Sequence, residues 1–403
     1  MSEPHVVIVG GGPAGLTAAR ELRQRGTVNV TVIERERDAG GVPRHTDHLG
    51  YGLRDLHRVT TGPRYARSLV QLALDAGAAV RTRSTVTALD TVEGVPGRHR
   101  VGIATPDGPA SLHADAVILA TGVRERPRAA RLVPGDRPSG VLTTGALQQF
   151  TTLHHQRVGK VAVVVGAEHV SFSAVLTLAH AGCRVAAMVT PFARHQTYWP
   201  LALVTSRRHR VPIRTGVDID SIIGHDRVEG VRLTDGSFVA CDTVVFTGDW
   251  VPEHELARRS GLSMVAGARA PVVDDRWRSE RPGVFAIGNL VHPAETADVC
   301  ALDGRAVADS VVDWLETGTW PAALHAVHTE PPIAWANWCS SGIALRVSRI
   351  VTGRLCLSVD GTRVWAGRRR TWLPNRSVVI ASRHLSSPAP HGDQRRLSVT
   401  LEP

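Results

Sequence analysis

Closely spaced cysteines are missing from this 403-residue chain. Its five cysteines are scattered, at Cys183, Cys241, Cys300, Cys339 and Cys356. No two of them have the Cys-x-x-Cys spacing of a redox dithiol, and neighbouring cysteines cannot build a zinc or iron–sulfur site. We therefore expect five reduced cysteines, no metal site and no disulfide-reductase dithiol.

Long apolar runs are also missing. No stretch approaches the roughly 20 consecutive apolar residues that a transmembrane helix needs. The short apolar segment 6–9 runs straight into a glycine-rich turn, which favours a core strand over a signal peptide. Because 43% of the residues are hydrophobic, ordinary cores can form. We expect a cytoplasmic protein of two or three domains without a transmembrane segment.

Residues 6–34 contain the most informative pattern in the chain. An apolar strand at 6–9 precedes Gly10-Gly11-Gly12-Pro13-Ala14-Gly15, a helical run to Gly26, a second apolar strand and then Glu34. The acid lies 19 residues after Gly15. A strand, glycine-rich turn, helix, strand and acid in this order are typical of a dinucleotide-binding Rossmann unit.

Each residue type in that turn has a physical task. Gly10 permits the tight turn, Gly12 lets a pyrophosphate approach the backbone, and Gly15 lets the helix pack closely on the sheet. Pro13 and Ala14 open the helix, whose free N–H groups would face the phosphates. The Glu34 carboxylate would accept hydrogen bonds from ribose hydroxyls.

Two later segments resemble the closing motifs of flavoproteins with two dinucleotide-binding domains, the relatives of thioredoxin and glutathione reductases. They are 116–122 (AVILATG) and 283–289 (GVFAIGN). The resemblance implies FAD as the cofactor, and Asn289 replaces the usual aspartate, so it can hydrogen-bond but carries no charge. Beyond the first turn, the implied cofactor-binding residues are Arg35, Gly41, Val42, Arg44, Val86, Thr121, Gly122, Gly288, Asn289, Thr296 and Ala297.

The same resemblance places the segment after Glu34 beneath the flavin ring. Arg44 and His45 are then candidate catalytic groups, since a cation beside the ring would stabilise reduced flavin and a histidine could move protons. The alternative is that this loop only binds the FAD phosphates. Amides around Thr296 and Ala297, at the start of the last long helix, would also stabilise negative charge on the ring.

A second Rossmann-like unit begins near residue 161, but its turn is altered. It reads Gly166-Ala167-Glu168-His169-Val170-Ser171, so only the first glycine remains. A carboxylate at Glu168 would repel the phosphates of a dinucleotide at short range. The next strand ends in Thr190-Pro191 without an acid for a ribose, although Arg194 lies nearby. We expect the fold to be kept and NAD(P)H binding to be lost.

The predicted fold class is α/β, with two Rossmann-like dinucleotide-binding domains of the glutathione and thioredoxin reductase type and a small β-rich C-terminal domain. The expected boundaries are 1–150 with 250–320 for the FAD domain, 151–249 for the degenerate NAD(P)-like domain, and 321–403 for the last domain. Residues 331–403 hold 11 arginines and 3 acids. Such a surface could dock an acidic protein or be merely solvated, and nothing matches a nucleic-acid-binding module.

Four segments resemble a narrower group, the FAD-binding components of multisubunit amine and amino-acid dehydrogenases, such as those of hydrogen cyanide synthase, opine oxidase and heteromeric sarcosine oxidase. They are 40–45 (GGVPRH), 140–145 (GVLTTG), 166–171 (GAEHVS) and 292–298 (HPAETAD). The resemblance implies an electron relay that works with an amino-acid-oxidase-like flavoprotein, a small [2Fe–2S] protein, or both. Many members end in a cysteine-rich iron–sulfur domain, which this chain replaces with the basic β-rich domain.

Two other functions stay open at this point. One is a standalone NAD(P)H-dependent flavin reductase, which Glu168 argues against. The other is a scaffold that binds FAD for stability and organises partners without turnover. No nucleophile with a paired base is evident, so no catalytic residue beyond the candidates Arg44 and His45 is assigned.

Overall fold

A computed structural model describes residues 3–26, 28–95, 97–322, 324, 326–385 and 396–403. Residues 386–395, which belong to the predicted basic C-terminal domain, lie outside the described residues. Within the described part of the chain, no helix combines the length and hydrophobicity that a bilayer span requires.

The first unit is built on a five-stranded parallel sheet with apolar strands. Its spatial order is Val284–Ala286, Ala116–Leu119, His5–Val9, Asn29–Ile33 and Ala79–Arg81. The central strands are buried on both faces, as expected when both faces of a parallel sheet are covered.

Helices cover one face of this sheet and a small antiparallel sheet covers the other. The helices are Pro13–Arg25, Gly62–Asp75 and Ala297–Thr317. The covering strands are Thr85–Thr91, His99–Thr105 and Gly108–Ala114. The first and last helices pack closely at Gly304, where an added Cβ would lie only 2.2 Å from the Ala14 carbonyl oxygen.

A second parallel sheet repeats this layout. Its order is Val141–Thr143, Thr243–Phe246, Val161–Val165, Arg184–Thr190 and Ile213–Thr215. One face carries the helices Thr144–Gln148, His169–His180 and Trp199–His209, with a π-helical turn at Gln149–Leu153. The other face carries the antiparallel strands Ile219–Ile223, Gly230–Leu233 and Phe238–Ala240.

Two antiparallel crossing strands, Val123–Glu125 and Trp250–Pro252, connect the units. Strand Val141–Thr143 already pairs with Thr243–Phe246 in the second sheet. The change of unit therefore falls between residues 125 and 141, earlier than the boundary expected at residue 150. The remaining short elements of these two units are Val42–His45, Leu49–Tyr51, Thr60–Thr61, Arg128–Arg131, Glu255–Arg259, Met264–Val265, Ala270–Pro271 and Gly288–Leu290.

The C-terminal region is rich in β-strands around its own apolar core. One sheet contains His328–Thr329, Leu397–Glu402, Val351–Val359 and Thr362–Ala366, with Arg370–Trp372 also pairing to Val351–Val359. The other contains Ile333–Cys339, Gly342–Val347 and Val378–Ala381, followed by the short helix Ser382–His384. Two Rossmann-like units followed by a β-rich region confirm the predicted α/β fold class.

Candidate cofactor-binding site

In the glycine-rich turn at the start of the chain, an added Cβ would fit at Gly12 but would clash at Gly10 and Gly15. Gly10 has a φ of +110°, and a Cβ there would lie 2.3 Å from the Ala120 carbonyl oxygen. A Cβ on Gly15 would lie 2.0 Å from the Gly10 carbonyl oxygen. At Gly12 the nearest atom would be the Gly41 Cα, 3.9 Å away. The open space therefore lies where a pyrophosphate must approach the backbone.

The first helix points its N-terminus into this space. Gly12 is its N-cap, makes no side-chain capping bond, and is followed directly by Pro13. Free first-turn amides of this kind attract anions. Gly288, with a φ of +67°, lies against Ala14, because an added Cβ would be 2.9 Å from the Ala14 Cβ. The closing segment 283–289 is thus brought next to the glycine-rich turn at Gly10–Gly15.

Glu34 is buried and held by two backbone donors. The Gly11 N–H donates to one carboxylate oxygen at 2.8 Å, and the Glu36 N–H donates to the other at 2.8 Å. Each oxygen keeps a further lone pair for a ribose hydroxyl. Arg35 lies at the exposed edge, 3.4 Å from a Glu253 oxygen.

Val86 lies in the antiparallel sheet, and the segment just before it is bonded to the backbone around Glu34. Ser84 N–H donates to the Glu34 carbonyl at 2.9 Å, and Arg83 N–H donates to the Glu36 carbonyl at 2.8 Å. Val86 itself pairs with Ile103 in the antiparallel sheet and packs on the apolar core below it. The backbone beside the acid is therefore that of Arg83 and Ser84.

Arg44 is directed towards the acids that follow Glu34. Its guanidinium hydrogen-bonds the Asp38 carbonyl and lies 3.8 Å from carboxylate oxygens of Glu36 and Asp38. The buried Arg44 Nε has no hydrogen-bond partner among the described residues. The turn that carries it, Val42–His45, starts beside Gly12, because Gly41 would place a Cβ 2.9 Å from the Gly12 Cα. This geometry suits a phosphate ligand.

His45 is 4% exposed and lies next to Arg44. Burial, together with the Arg44 charge, lowers the pKa of His45 to about 4. The ring is thus neutral at physiological pH and can accept or donate a hydrogen bond, but it does not supply a cation. Its neighbour Thr46 donates to Gln148 at 3.0 Å, and Gln148 donates to Ser173 at 3.0 Å, so this loop is hydrogen-bonded to the second unit.

Thr121 and Gly122 follow the strand Ala116–Leu119, in the first of the two closing segments. The Thr121 hydroxyl donates to the Glu253 carbonyl at 2.7 Å, and the Glu253 N–H donates to the Gly122 carbonyl at 2.9 Å. Gly122 has a φ of +79°. Both residues are therefore tied to the returning crossing strand where the chain leaves the first unit.

Asn289 has a structural role that the sequence did not indicate. Its side-chain amide donates to the Glu295 carbonyl at 3.0 Å, and the Glu295 N–H donates to the Asn289 Oδ1 at 2.8 Å. One N–H and one lone pair remain for a cofactor. Asn289 thus closes the loop that leads to the last long helix.

The N-terminus of that helix, Ala297–Thr317, is less positive than expected. Thr296 is its N-cap, and Asp298 lies in its first turn, where it accepts hydrogen bonds from the Thr296 hydroxyl and the Val299 N–H. The carboxylate stabilises the helix, but it offsets the positive end of the dipole. Arg54 lies 3.7 Å from Asp298, and its positive charge partly offsets that of the carboxylate.

The C-terminal region is hydrogen-bonded to the loop that precedes the helix Ala297–Thr317. No local sequence signal indicated these contacts. Arg346 forms an ion pair with Glu295 at 2.6 Å, with both side chains buried, and also donates to the Ala294 carbonyl at 3.2 Å. Ser377 donates to a Glu295 oxygen at 2.8 Å. Asn337 donates to the Val291 carbonyl at 3.1 Å. The loop is therefore held from Asn289 on one side and from the β-rich region on the other.

A fully buried pair lies beneath this loop. His292 Nε2 is hydrogen-bonded to the Asp303 carboxylate, and both side chains are 0% exposed. Burial alone would lower the pKa of His292, but the Asp303 charge and hydrogen bond raise it. The Ser340 N–H donates to the second Asp303 oxygen at 2.8 Å, so the pair also joins the β-rich region to the helix.

In the second unit, the protein's own polar groups fill the altered turn. A Cβ on Gly166 would lie 2.0 Å from the Thr247 hydroxyl and 2.7 Å from a Glu168 carboxylate oxygen. Ser171 and Thr247 share a hydrogen bond of 2.7 Å. Glu168 is 4% exposed, and its Oε1 has no partner among the described residues. A buried carboxylate thus lies within the altered turn, beside Gly166.

Glu125, which the sequence analysis missed, adds a second buried acid near this turn. It comes from the first crossing strand and accepts a hydrogen bond from the Gly145 N–H at 2.8 Å. Burial raises the pKa of Glu125 to about 7, against the opposing effect of this bond, and the nearby charge of Glu168 raises it further. Within the described residues, no group of histidine, cysteine and acidic side chains could hold a metal ion.

Comparison with known proteins gives a family and a fold. The sequence profile described as "Pyridine nucleotide-disulphide oxidoreductase" matches residues 4–304. The ferredoxin–NAD(+) reductase component of a benzene 1,2-dioxygenase system from Pseudomonas putida is 28% identical over 302 residues, 71% of this chain and 67% of that protein. An opine oxidase component from Agrobacterium tumefaciens is 25% identical over 355 residues, 81% of this chain and 69% of that protein. The chain therefore matches about two thirds of the length of these relatives.

Among solved structures, the thioredoxin reductase of T. acidophilum superposes with a TM-score of 0.66 at 21% identity. The match covers 78% of this chain and all of that one. At this identity the likeness establishes the fold alone.

The first site fits FAD on its own geometry. Gly12 leaves the space that a pyrophosphate needs, Glu34 is anchored as a ribose acceptor, and the unpartnered Arg44 Nε can meet a phosphate. The cofactor is FAD, and the protein is an oxidoreductase.

Proposed function

Because the chain belongs to the pyridine nucleotide-disulphide oxidoreductase family, we propose that it is the electron-relaying FAD subunit of an amine or amino-acid dehydrogenase complex. The observation that carries the proposal is the filled second site. Glu168 and the Ser171–Thr247 hydrogen bond lie in the turn of the second Rossmann-like unit, and a buried carboxylate there would disfavour a pyridine nucleotide. On this proposal, the electrons come from another protein.

The similarity to the opine oxidase component, 25% identical over a match that covers 81% of this chain, supports this proposal. The proposed partners are an amino-acid-oxidase-like flavoprotein that removes electrons from the C–N bond and a small [2Fe–2S] protein. The basic C-terminal region remains a candidate docking face for either partner.

The chain's own residues would position the cofactor and set its charge environment. When bound, FAD supplies the redox chemistry. Gly12 and Arg44 would hold its phosphates, and Glu34 its ribose. His45 would be a neutral hydrogen-bonding group, since its pKa is about 4. The loop from Asn289 to Thr296 would be kept in place by Glu295 and Arg346.

An anaerobic stopped-flow titration tests the proposal. The purified holoprotein is mixed with NADH or NADPH, and the flavin absorbance is followed. We expect no fast bleaching with either nucleotide, and full bleaching with dithionite as the control. Co-purification from the native host should then recover a second flavoprotein. Fast bleaching by a pyridine nucleotide would contradict the proposal.

A standalone NAD(P)H-dependent reductase is the second candidate. It is favoured by the 28% identity to the ferredoxin–NAD(+) reductase component from Pseudomonas putida. The same titration separates the two functions. A flavin that neither a nucleotide nor a co-purified partner can reduce would instead favour the non-catalytic scaffold.

A further inference from the structure

An exposed face of the FAD-binding unit carries large apolar side chains. Leu49, Leu53 and Val59 are 68%, 59% and 57% exposed. They belong to the hairpin formed by strands Leu49–Tyr51 and Thr60–Thr61. Grouped exposed apolar side chains mark interaction sites more often than ordinary surface. This surface, with Arg54, Arg58, Arg64 and Arg67, is named the basic hairpin face.

The charge of the basic hairpin face has one sign. Its four arginines are all exposed. Between Asp47 and Asp75 the sequence has one acid, Asp55, which is 5% exposed and accepts a hydrogen bond from the Tyr65 hydroxyl at 2.6 Å. The positive charge of the face is therefore not balanced by exposed acids between those two positions.

Three of the arginines line an open depression of about 520 Å³. Arg58 donates to the Ser68 hydroxyl at 2.9 Å. Arg64 and Arg67 form no ion pair within the part of the chain that the structure describes. Guanidinium groups bind carboxylates with two parallel hydrogen bonds. The depression is thus suited to the carboxylates of an acidic protein.

The face adjoins the proposed flavin site. Arg54 lies 3.7 Å from Asp298, in the first turn of the helix Ala297–Thr317. Arg305, two turns farther along that helix, donates to the Asp55 carbonyl at 3.1 Å. A protein docked on the hairpin would therefore lie next to the end of the helix that faces the cofactor.

On the basis of the proposed relay function, we infer that the basic hairpin face docks an acidic iron–sulfur electron carrier. The carrier's carboxylates would bind Arg58, Arg64 and Arg67, and its apolar centre would cover Leu53 and Val59. In the C-terminal region, Arg346 is buried against Glu295 and Arg376 donates to the Thr197 carbonyl at 2.6 Å, whereas Arg368 and Arg369 are exposed and make this region the competing surface that the test must separate. Each carrier passes one electron, so full reduction of one FAD to FADH2 oxidises two reduced carriers and takes two protons from solvent.

The test uses an acidic plant-type [2Fe–2S] ferredoxin as the probe. Binding of its oxidised form to the holoprotein is measured by calorimetry at several salt concentrations, and reduction of the flavin by its reduced form is measured by anaerobic stopped flow. The variant Arg64→Glu/Arg67→Glu reverses two charges on the face. Arg368→Glu/Arg369→Glu reverses two exposed charges in the C-terminal region and is the matched control.

We expect the Arg64→Glu/Arg67→Glu variant to weaken binding and slow flavin reduction at least tenfold and to flatten their salt dependence. The control variant should behave as wild type, and dithionite should bleach every variant. The inference is overturned if the hairpin variant matches wild type, or if only the C-terminal variant loses binding. It is also overturned if Leu53→Asp abolishes a self-association of this chain, because the face would then bind a second copy.

A different conclusion follows if dithionite bleaches the wild-type holoprotein but the ferredoxin neither binds it nor reduces it. That result would count against the relay function itself, and the docking face would fall with it. Normal transfer by wild type together with an unaffected hairpin variant would reject only the docking face.

Discussion

Arg346 in the β-rich region and Glu295 in the loop before the last long helix form an ion pair of 2.6 Å with side chains only 6% and 5% exposed. Glu295 is also bonded through its backbone to Asn289. Glu295 thereby joins Asn289, a residue of the proposed flavin-binding motif, to the C-terminal region. The β-rich region therefore acts as a support for the cofactor site and not only as an appended domain.

The pair predicts that Arg346→Met will weaken FAD retention. Removing one partner leaves a buried, uncompensated carboxylate, which typically costs about 3–5 kcal/mol. We expect a lower melting temperature and at least tenfold faster FAD release, measured by flavin fluorescence. Glu295→Gln/Arg346→Met should recover part of the loss, and Arg349→Met, at an exposed position nearby, should resemble wild type. Equal FAD release from the Arg346 and Arg349 variants would contradict the supporting role.

Glu34 gives a second prediction, for the opposite end of the cofactor. Two backbone N–H groups donate to its two oxygens. In Glu34→Gln, one of these donors would face an amide NH2 group, and a ribose acceptor would be lost. We expect FAD affinity to fall about tenfold or more in equilibrium fluorescence titrations. Glu36→Gln, at a more exposed position, is the control, and a similar loss in both variants would argue against a specific ribose contact.

Sequence alone predicted the parts of this site that depend on local geometry. Gly10, Gly12, Gly15 and Glu34 lie within one strand–turn–helix–strand unit, whose spacing is fixed by its secondary structure. The prediction that the second turn repels a dinucleotide also comes from local residues, since Glu168 lies within the turn itself.

What the sequence could not predict depends on contacts between distant segments. Arg346 and Glu295 are separated by 51 residues and belong to different sheets and loops. Glu125 accepts a hydrogen bond from the Gly145 N–H of the second unit. Arg44 lies near Glu36 and Asp38, on the short helix Val42–His45 that begins beside Gly12. These contacts join residues that are distant in sequence or depend on how a loop folds, so no residue spacing predicts them.

Glu125 predicts a specific pH dependence of stability. Its pKa rises from 4.5 to about 7 on folding, because burial disfavours the ionised form. The protonated side chain therefore contributes stability that is complete below about pH 4.5 and is lost as the pH rises through 7. The loss relative to Glu125→Gln should be about 3 kcal/mol. Chemical denaturation from pH 5 to 8 measures it, with Glu36→Gln as the control.

The two proteins should then converge in stability at low pH and differ most at high pH, with wild type the less stable. Parallel stability curves for wild type and Glu125→Gln across this range would show that the carboxyl keeps its ordinary pKa. An opposite trend, with wild type gaining stability as the pH rises, would mean that a cation pairs with it.

The altered second turn predicts a gain of binding on repair. In Glu168→Gly/Ser171→Gly, the buried carboxylate and the Ser171–Thr247 bond are both removed from the space above Gly166. The repulsion between Glu168 and a pyrophosphate disappears, and the helix N-terminus at His169 becomes accessible to an anion. We expect NADH binding to strengthen at least tenfold over wild type, measured by quenching of flavin fluorescence. Glu168→Asp keeps the charge and should not bind NADH. If the glycine variant binds no better than Glu168→Asp, electrostatic repulsion at this turn is not what excludes the nucleotide.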